Sequence, residues 1–239
     1  IAILPHRLYN ETNIMAWAEV EKARRRLSRE QGTIIKDWGG RIPIALVYPN
    51  SYYVGMSNLG LHALYSLLNS YSEVVGERAF WEVENRDSRS PALCLESQRP
   101  LSDFAVVAFS VSYELDYFNV VHILKASGIP LYAADRDERH PLVIAGGSCI
   151  IANPVPLSPF FDCLCIGEAE PMVPAMLPVI AEGVGGKRSD LLRALASLPG
   201  VYVPQYYSGK PVVRQWAKNL DDFPVASILR WRGEPFAVS

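Results

Sequence analysis

The heptapeptide Ile42-Pro43-Ile44-Ala45-Leu46-Val47-Tyr48 is a continuous apolar run that ends at Pro49-Asn50. A strand that is apolar at every position is typical of a parallel sheet covered by helices on both faces. The next segment, from Leu59 to Tyr71, has leucines at helical spacing, and Ser57 or Asn58 stands where an N-cap belongs. The fold is therefore predicted to begin with a strand and a crossover helix.

The alternation of strand and helix continues along the chain. Helical spacing predicts helices from Leu115 to Leu124 and from Pro171 to Gly183. With right-handed crossovers, the pattern predicts an α/β fold, a doubly wound, Rossmann- or flavodoxin-like sheet of five parallel strands in the order 2-1-3-4-5. The four further strands are expected at Val74–Trp81, Ala105–Ser110, Leu142–Ala145 and Cys163–Ile166.

Two segments flank the predicted sheet. A helix is expected from Asn13 to Glu30, because apolar residues recur there at helical spacing. Beyond residue 199 the apolar spacing changes to two, which predicts a β-hairpin with arms Gly200–Tyr207 and Pro211–Lys218. We divide the chain into a helical extension at 1–40, the Rossmann-like domain at 41–199, and the hairpin with a linker at 200–239.

Composition excludes several classes of protein. The 239 residues are 49% hydrophobic and 20% charged, which is typical of a globular chain and excludes disordered or collagen-like classes. The net charge of −2 indicates no general nucleic-acid binding, and we interpret the basic run from Lys22 to Arg29 as the solvated face of a helix. No signal peptide or apolar run of roughly 18 residues is present, so we expect a cytoplasmic protein.

Residues suited to metal binding or catalysis do not cluster. The cysteines are interpreted as buried thiols, and because they lack ligand spacing we expect no metal in this chain. The histidines have no partner at suggestive spacing, and Glu168 and Glu170 are interpreted as helix-capping carboxylates. Dinucleotide and P-loop motifs are absent. The cysteines are Cys94, Cys149, Cys163 and Cys165, and the histidines are His6, His62, His122 and His140.

Ligands of a doubly wound sheet bind beyond the carboxyl ends of its strands. Glycine there allows close approach of the backbone to a ligand, and polar side chains provide hydrogen bonds. The same residue types also end strands without any ligand, and spacing alone leaves both readings open. The four loops at this edge are Pro49–Ser57, Ser110–Glu114, Gly146–Asn153 and Gly167–Glu170.

The order and spacing of these loop motifs resemble the radical S-adenosylmethionine (SAM) proteins with a cobalamin (B12)-binding-like N-terminal domain, in particular an uncharacterised branch of fused proteins. The resemblance covers most of the chain. It is carried by Tyr48-Pro49-Asn50-Ser51-Tyr52, Gly55-Met56-Ser57-Asn58-Leu59-Gly60, Phe109-Ser110-Val111-Ser112-Tyr113-Glu114-Leu115, Gly128-Ile129-Pro130-Leu131, Ala145-Gly146-Gly147, Asn153-Pro154, Phe161-Asp162 and Gly167-Glu168-Ala169-Glu170.

The resemblance implies a domain that positions a cofactor or substrate beside a catalytic core with a [4Fe-4S] cluster and SAM. The Cys-x-x-x-Cys-x-x-Cys motif of that core is absent, so this chain is not expected to be catalytic alone, and residues 200–239 are expected to lead toward the core. Cobalamin is the favoured cofactor, held without a protein histidine on the cobalt. The expected binding residues are Pro49, Asn50, Ser51, Tyr52, Ser110, Ser112, Tyr113, Gly146, Gly147, Gly167 and Glu168.

A rival hypothesis keeps the fold and leaves out the cofactor. The domain would then be an interaction module that docks against its own radical SAM core in cis or against a macromolecular partner such as RNA or protein. A third hypothesis is a free-standing small-molecule-binding protein. The substrate of the whole protein and its oligomeric state are not indicated by the sequence.

Overall fold

A computed structural model describes residues 6–82, 92–219, 221, 223 and 227–231, with the backbone alone for 6–16 and 231. Its strands are β1 Glu30–Gln31, β2 Ile42–Tyr48, β3 Val74–Phe80, β4 Val106–Ser110, β5 Leu142–Gly146, β6 Cys163–Cys165, β7 Val201–Tyr202 and β8 Arg230–Trp231. Its α-helices are α1 His6–Arg29, α2 Tyr52–Met56, α3 Leu59–Ser70, α4 Tyr117–Ala126, α5 Ser148–Ala152, α6 Ala169–Gly183 and α7 Arg188–Ala196.

The central sheet confirms the predicted topology. Its six strands lie in the order β3-β2-β4-β5-β6-β7, and the first five are parallel. When only the strands of this sheet are numbered along the chain, their order is 2-1-3-4-5-6. This is the predicted order with a sixth, antiparallel strand added at the edge. β2 lies between β3 and β4, with Ile44 in register with Gly76 on one side and Val106 on the other.

Helices cover both faces of the sheet, as the all-apolar strands predicted. On one face, Ala45, Val107 and Val143 share a core with α4. On the other face, Ile44, Val106 and Leu142 share a core with α6 and α7. A parallel sheet buried in this way gains most of its stability from removing apolar surface from water.

The predicted hairpin at 200–218 is wrong. β7 instead pairs antiparallel with β6 and becomes the sixth strand of the sheet. Gln215, from the expected second arm, bridges to Gly167, and its backbone N–H donates to the Ile166 carbonyl over 3.0 Å. Both arms therefore bond to the segment 163–168 rather than to each other, because that edge has backbone groups that need partners.

The N-terminal helix begins earlier than predicted, at His6 rather than Asn13, and ends at Arg29. It leads into β1, which pairs antiparallel with β8 in a separate two-stranded sheet. β8 lies in the region predicted to be linker. None of the helices within the described ranges is long and apolar enough to cross a membrane.

Candidate ligand-binding cleft

A cleft of about 580 Å³ opens at the carboxyl end of the sheet, between α3 and α6. Its floor is one face of the sheet, and its walls are apolar side chains of the two helices. This volume lies within the roughly 300–1,000 Å³ of small-molecule pockets. The floor contains Ile44, Val106, Ala108 and Ile144, and the walls include Ala63, Leu64, Leu67, Met172, Val173 and Met176.

The floor is open because the helices cover only part of this sheet face. Val106 and Leu142 are buried beneath the helices. Further along the same strands and on the same face, Ala108 and Ile144 are only half-buried. Successive residues on one face of a strand are two apart, so the face changes from covered to open toward the carboxyl ends.

Glycine forms much of the rim. Gly147 has φ +110°, and a Cβ there would lie 2.4 Å from the Val111 carbonyl oxygen. Gly146 differs, because a Cβ would meet only Cys165, at 3.6 Å. The backbone at Gly147 therefore requires glycine, whereas a side chain at Gly146 would occupy space in the cleft.

Few polar groups accompany this apolar surface. Asn58 caps α3, where its Oδ1 accepts from the Leu61 N–H over 3.0 Å. Its Nδ2 lies 3.5 Å from both the Tyr48 and Ser112 hydroxyl oxygens. Glu168 and Glu170 both line the opposite rim, and Glu168 Oε2 accepts from the Ala217 N–H over 2.7 Å.

The thiol in the cleft is poorly suited to nucleophilic attack. Burial raises the pKa of Cys165 to about 12, so the sulfur stays protonated near neutral pH. Its Sγ lies 3.7 Å from the Met176 sulfur, in an apolar environment. The cleft is therefore suited to an apolar or amphipathic ligand that is held by shape and by a few rim hydrogen bonds.

Six of the residues expected from the sequence line this cleft: Ser110, Ser112, Gly146, Gly147, Gly167 and Glu168. They lie at the carboxyl ends of β4 and β5 and in the loops that follow β4, β5 and β6. The parallel topology brings these loops to one edge, as the sequence predicted.

The other five expected residues do not line the cleft. Pro49 accepts a hydrogen bond from Asn119 Nδ2 over 2.8 Å, and Asn50 Nδ2 donates to Asp116 over 2.7 Å. Ser51 caps α2, where its hydroxyl oxygen accepts from the Val54 N–H. These three hold the loop after β2 in place, and the remaining two are Tyr52 and Tyr113.

Tyr52 faces away from the cleft, toward α1. Its hydroxyl donates to Glu30 Oε1 over 2.6 Å, and its ring lies 4.5 Å beneath the Arg26 guanidinium. Burial is the largest cause that raises the pKa of Tyr52 far above its ordinary value. Tyr113 is 54% exposed, outside the cleft lining.

The described histidines bond elsewhere or lie on the surface. His62 Nε2 donates to the Met56 carbonyl over 2.9 Å, His140 pairs with Asp137, and His122 is on the exposed side of α4. None of the three lines the cleft. Within the part of the chain that the structure describes, no three His, Cys, Asp or Glu side chains form a group suited to a metal ion.

Sequence reasoning missed the apolar walls of the cleft. Met172 and Met176 are four residues apart on α6, which is the spacing of one helix face. This signal indicates only that the face is apolar. It does not distinguish contact with the core from contact with a ligand.

Comparison with known proteins identifies the family. The sequence-family model for the N-terminal region of radical SAM proteins matches residues 60–204, which is more than half of the chain. The chain belongs to this family. The match of this radical SAM N-terminal domain begins in α3 and ends after β7, so it includes both helices that wall the cleft.

One curated relative is an uncharacterised protein of Methanocaldococcus jannaschii. It is 29% identical over 186 residues, which cover 76% of this chain but only 34% of the relative. The matched part thus spans about a third of that longer protein. No solved structure matches the chain significantly.

Proposed function

We propose that this radical SAM N-terminal domain binds cobalamin and presents it to the catalytic core of the same polypeptide. The observation that carries the proposal is the open sheet face at Ala108 and Ile144, walled by α3 and α6. An uncovered apolar face inside an otherwise well-packed sheet favours a ligand that completes its burial.

The chemistry of the cleft fits parts of cobalamin. The apolar slot suits the aromatic base of the nucleotide tail, and the polar rim suits the amide groups around the corrin ring. The residues that would hold it are Ser110, Ser112, Gly146, Gly147, Gly167 and Glu168. When bound, cobalamin supplies an organometallic cobalt centre, while the protein supplies binding and orientation.

The loop after β2 bears on how the cobalt would be coordinated. It contains no histidine, and the nearest one, His62, already bonds the Met56 carbonyl. Tyr52 is turned toward α1, so its ring does not fill the cleft. These contacts support our proposal that cobalamin binds without a protein histidine on cobalt.

The test uses the full-length protein. It is incubated with hydroxocobalamin, separated by gel filtration, and extracted to measure retained cobalamin per polypeptide. Gly146→Val should lower retention at least about tenfold, because the added side chain enters the cleft. The matched control is Gly39→Val, in an exposed loop outside the cleft.

Four outcomes decide the proposal. Stoichiometric retention that is lost only in Gly146→Val supports it. Absence of cobalamin from the unmodified protein, or equal retention by both variants, contradicts it. A visible spectrum with features of histidine-ligated cobalt would overturn the claim about the ligand alone.

A second candidate function is a cofactor-free docking module. The chain after β4 exposes large apolar side chains beside the sheet edge, with Leu115 81% and Phe118 72% exposed. Such residues favour contact with another protein surface, here the catalytic core. Hydroxyl-radical footprinting of the full-length protein tests this: Phe118 should be protected relative to Tyr132, which is 51% exposed. Stronger labelling of Phe118 than of Tyr132 would contradict it.

A further inference from the structure

A second concave surface lies between α1 and α2, with a volume of about 670 Å³. It shares no lining residue with the cleft. We call it the basic groove, and it is lined by Ala18, Glu21, Lys22, Arg25, Arg26, Arg29, Tyr52 and Tyr53.

Cations outnumber the carboxylate in this groove. Arg26 is neutralised by an ion pair with Glu82, and Arg25 makes only a loose, exposed pair with Glu21 at 3.7 Å. Within the described residues, no carboxylate pairs with Lys22 or Arg29. The groove therefore has a local excess of positive charge although the whole chain has a net charge of −2.

Aromatic rings accompany these cations. Tyr53 is 60% exposed and lines the groove, and Trp17 is 62% exposed on α1, four residues before the lining residue Glu21 and thus on the same side of the helix. Exposed rings beside a basic groove are the arrangement on which bases of a single strand stack while its phosphates follow the cations. Acidic peptides and anionic lipid headgroups match the charge but have no flat bases to stack.

We propose that the basic groove binds single-stranded RNA. Lys22, Arg25 and Arg29 contact phosphates, and Tyr53 stacks on a base. Among the described residues that line the groove, Glu21 is the one carboxylate, and its oxygens can accept a hydrogen bond from a ribose 2′-hydroxyl, which DNA lacks. This proposal is independent of cobalamin, because it concerns other residues.

Fluorescence anisotropy of the full-length protein with a labelled oligouridine of about 12 nucleotides tests the charges. The triple variant Lys22→Gln, Arg25→Gln, Arg29→Gln should weaken binding at least about tenfold. It should also reduce the slope of log affinity against log salt by about 2, since each lost contact on single strands is worth about 0.7. The matched control is Arg24→Gln, because Arg24 is exposed on the same helix but outside the groove.

Two more variants test the proposed roles of the Tyr53 ring and the Glu21 carboxylate. Tyr53→Ala should weaken binding roughly tenfold, whereas Tyr132→Ala, which removes a half-exposed ring outside the groove, should not. Glu21→Ala should lower the ratio of RNA affinity to DNA affinity, measured with an oligodeoxythymidine of the same length.

Retention of affinity in the triple variant, or an equal loss in Arg24→Gln, would overturn the proposal. Binding that does not depend on Tyr53 and is matched by phosphatidylserine vesicles would assign the groove to a membrane surface instead. Equal affinity of the unmodified protein for RNA and DNA would overturn the choice of RNA.

Discussion

Arg78 Nη2 lies 2.6 Å from Glu30 Oε2, and both side chains are only 1% exposed. Arg78 also donates from Nε to Glu96 Oε1 over 2.7 Å. Burial raises the pKa of Glu30, but the hydrogen bond and charge of Arg78 outweigh it, and the pKa is lowered overall. The ion pair therefore joins β1, directly after α1, to the middle of β3, through two groups that both remain charged at neutral pH.

Replacing Glu30 with alanine should be strongly destabilising. The change leaves Arg78 with a single carboxylate partner in a buried site, and breaking one member of a buried pair costs about 3–5 kcal/mol. Urea unfolding measures the loss. Glu21→Ala removes a carboxylate from an exposed pair on α1 and should cost at most about 1 kcal/mol. Equal costs for the two variants would show that the Glu30 pair is not structurally important.

The Arg136–Asp162 pair provides a second comparison between buried and exposed charges. Asp162 is buried, accepts from the Val143 N–H over 2.7 Å and pairs with Arg136 at 3.3 Å, so Asp162→Ala should cost about 3–5 kcal/mol. Arg139 and Asp137 are closer, at 2.6 Å, but the Arg139 side chain is 81% exposed. Arg139→Ala should therefore leave the urea midpoint unchanged. A larger effect from Arg139→Ala would contradict the dominance of burial over distance.

Two adjacent glycines should respond differently to alanine. Gly147→Ala places a methyl group 2.4 Å from the Val111 carbonyl and holds alanine at φ +110°, which should cost at least about 1–3 kcal/mol. Gly146→Ala makes its nearest contact at 3.6 Å and should change stability by less than about 1 kcal/mol. Thermal unfolding of both variants checks the difference. Similar melting temperatures would refute the assigned backbone conformation.

His62 should make stability depend on pH. Burial is the largest cause that lowers its pKa below the ordinary 6.5, so the unfolded chain takes up a proton that the folded protein excludes. The stability contributed by neutral His62 is present above pH 6.5 and is lost as the pH falls from 6.5 toward the folded pKa.

Urea unfolding at about pH 7.5 and about pH 5.5 measures this loss. The unmodified protein should lose more stability over that range than His62→Gln. His122→Gln, which removes an exposed histidine of α4, should behave like the unmodified protein. Parallel pH profiles for the protein and His62→Gln would contradict the prediction.

The all-apolar strand Ile42–Tyr48 was enough to predict a parallel sheet, because burial on both faces is recorded in the residues themselves. The strand order followed from the alternation of strands and helices with right-handed crossovers. The cleft rim was predictable for a similar reason. Once the strands are parallel, Ser110, Gly146 and Gly167 must lie at one edge.

The apolar walls and the hairpin segment were not predictable in the same way. Leu64 and Met172 have the same helical spacing whether they contact the core or a ligand, since periodicity records polarity and not coverage. Val201 and Gln215 were expected on opposite arms of one hairpin, and both bond to the segment 163–168 instead. Period-two spacing identifies an extended chain but does not name its partner strand. The turn of Tyr52 toward α1 likewise depends on Glu30, which is distant in sequence.

Glu168 joins the rim of the cleft to the segment of chain that follows β7. It lies on the cleft rim, and it also holds the segment 215–217 against the sheet edge, through its carboxylate to Ala217 and its N–H to the Gln215 carbonyl. A ligand that draws the Glu168 carboxylate into the cleft must weaken its hydrogen bond to Ala217. Displacement of residues 215–217 must weaken ligand binding by the same free energy. Free energies of this kind are reciprocal. Through Glu168, a molecule bound in the cleft and the position of residues 215–217 would each affect the stability of the other.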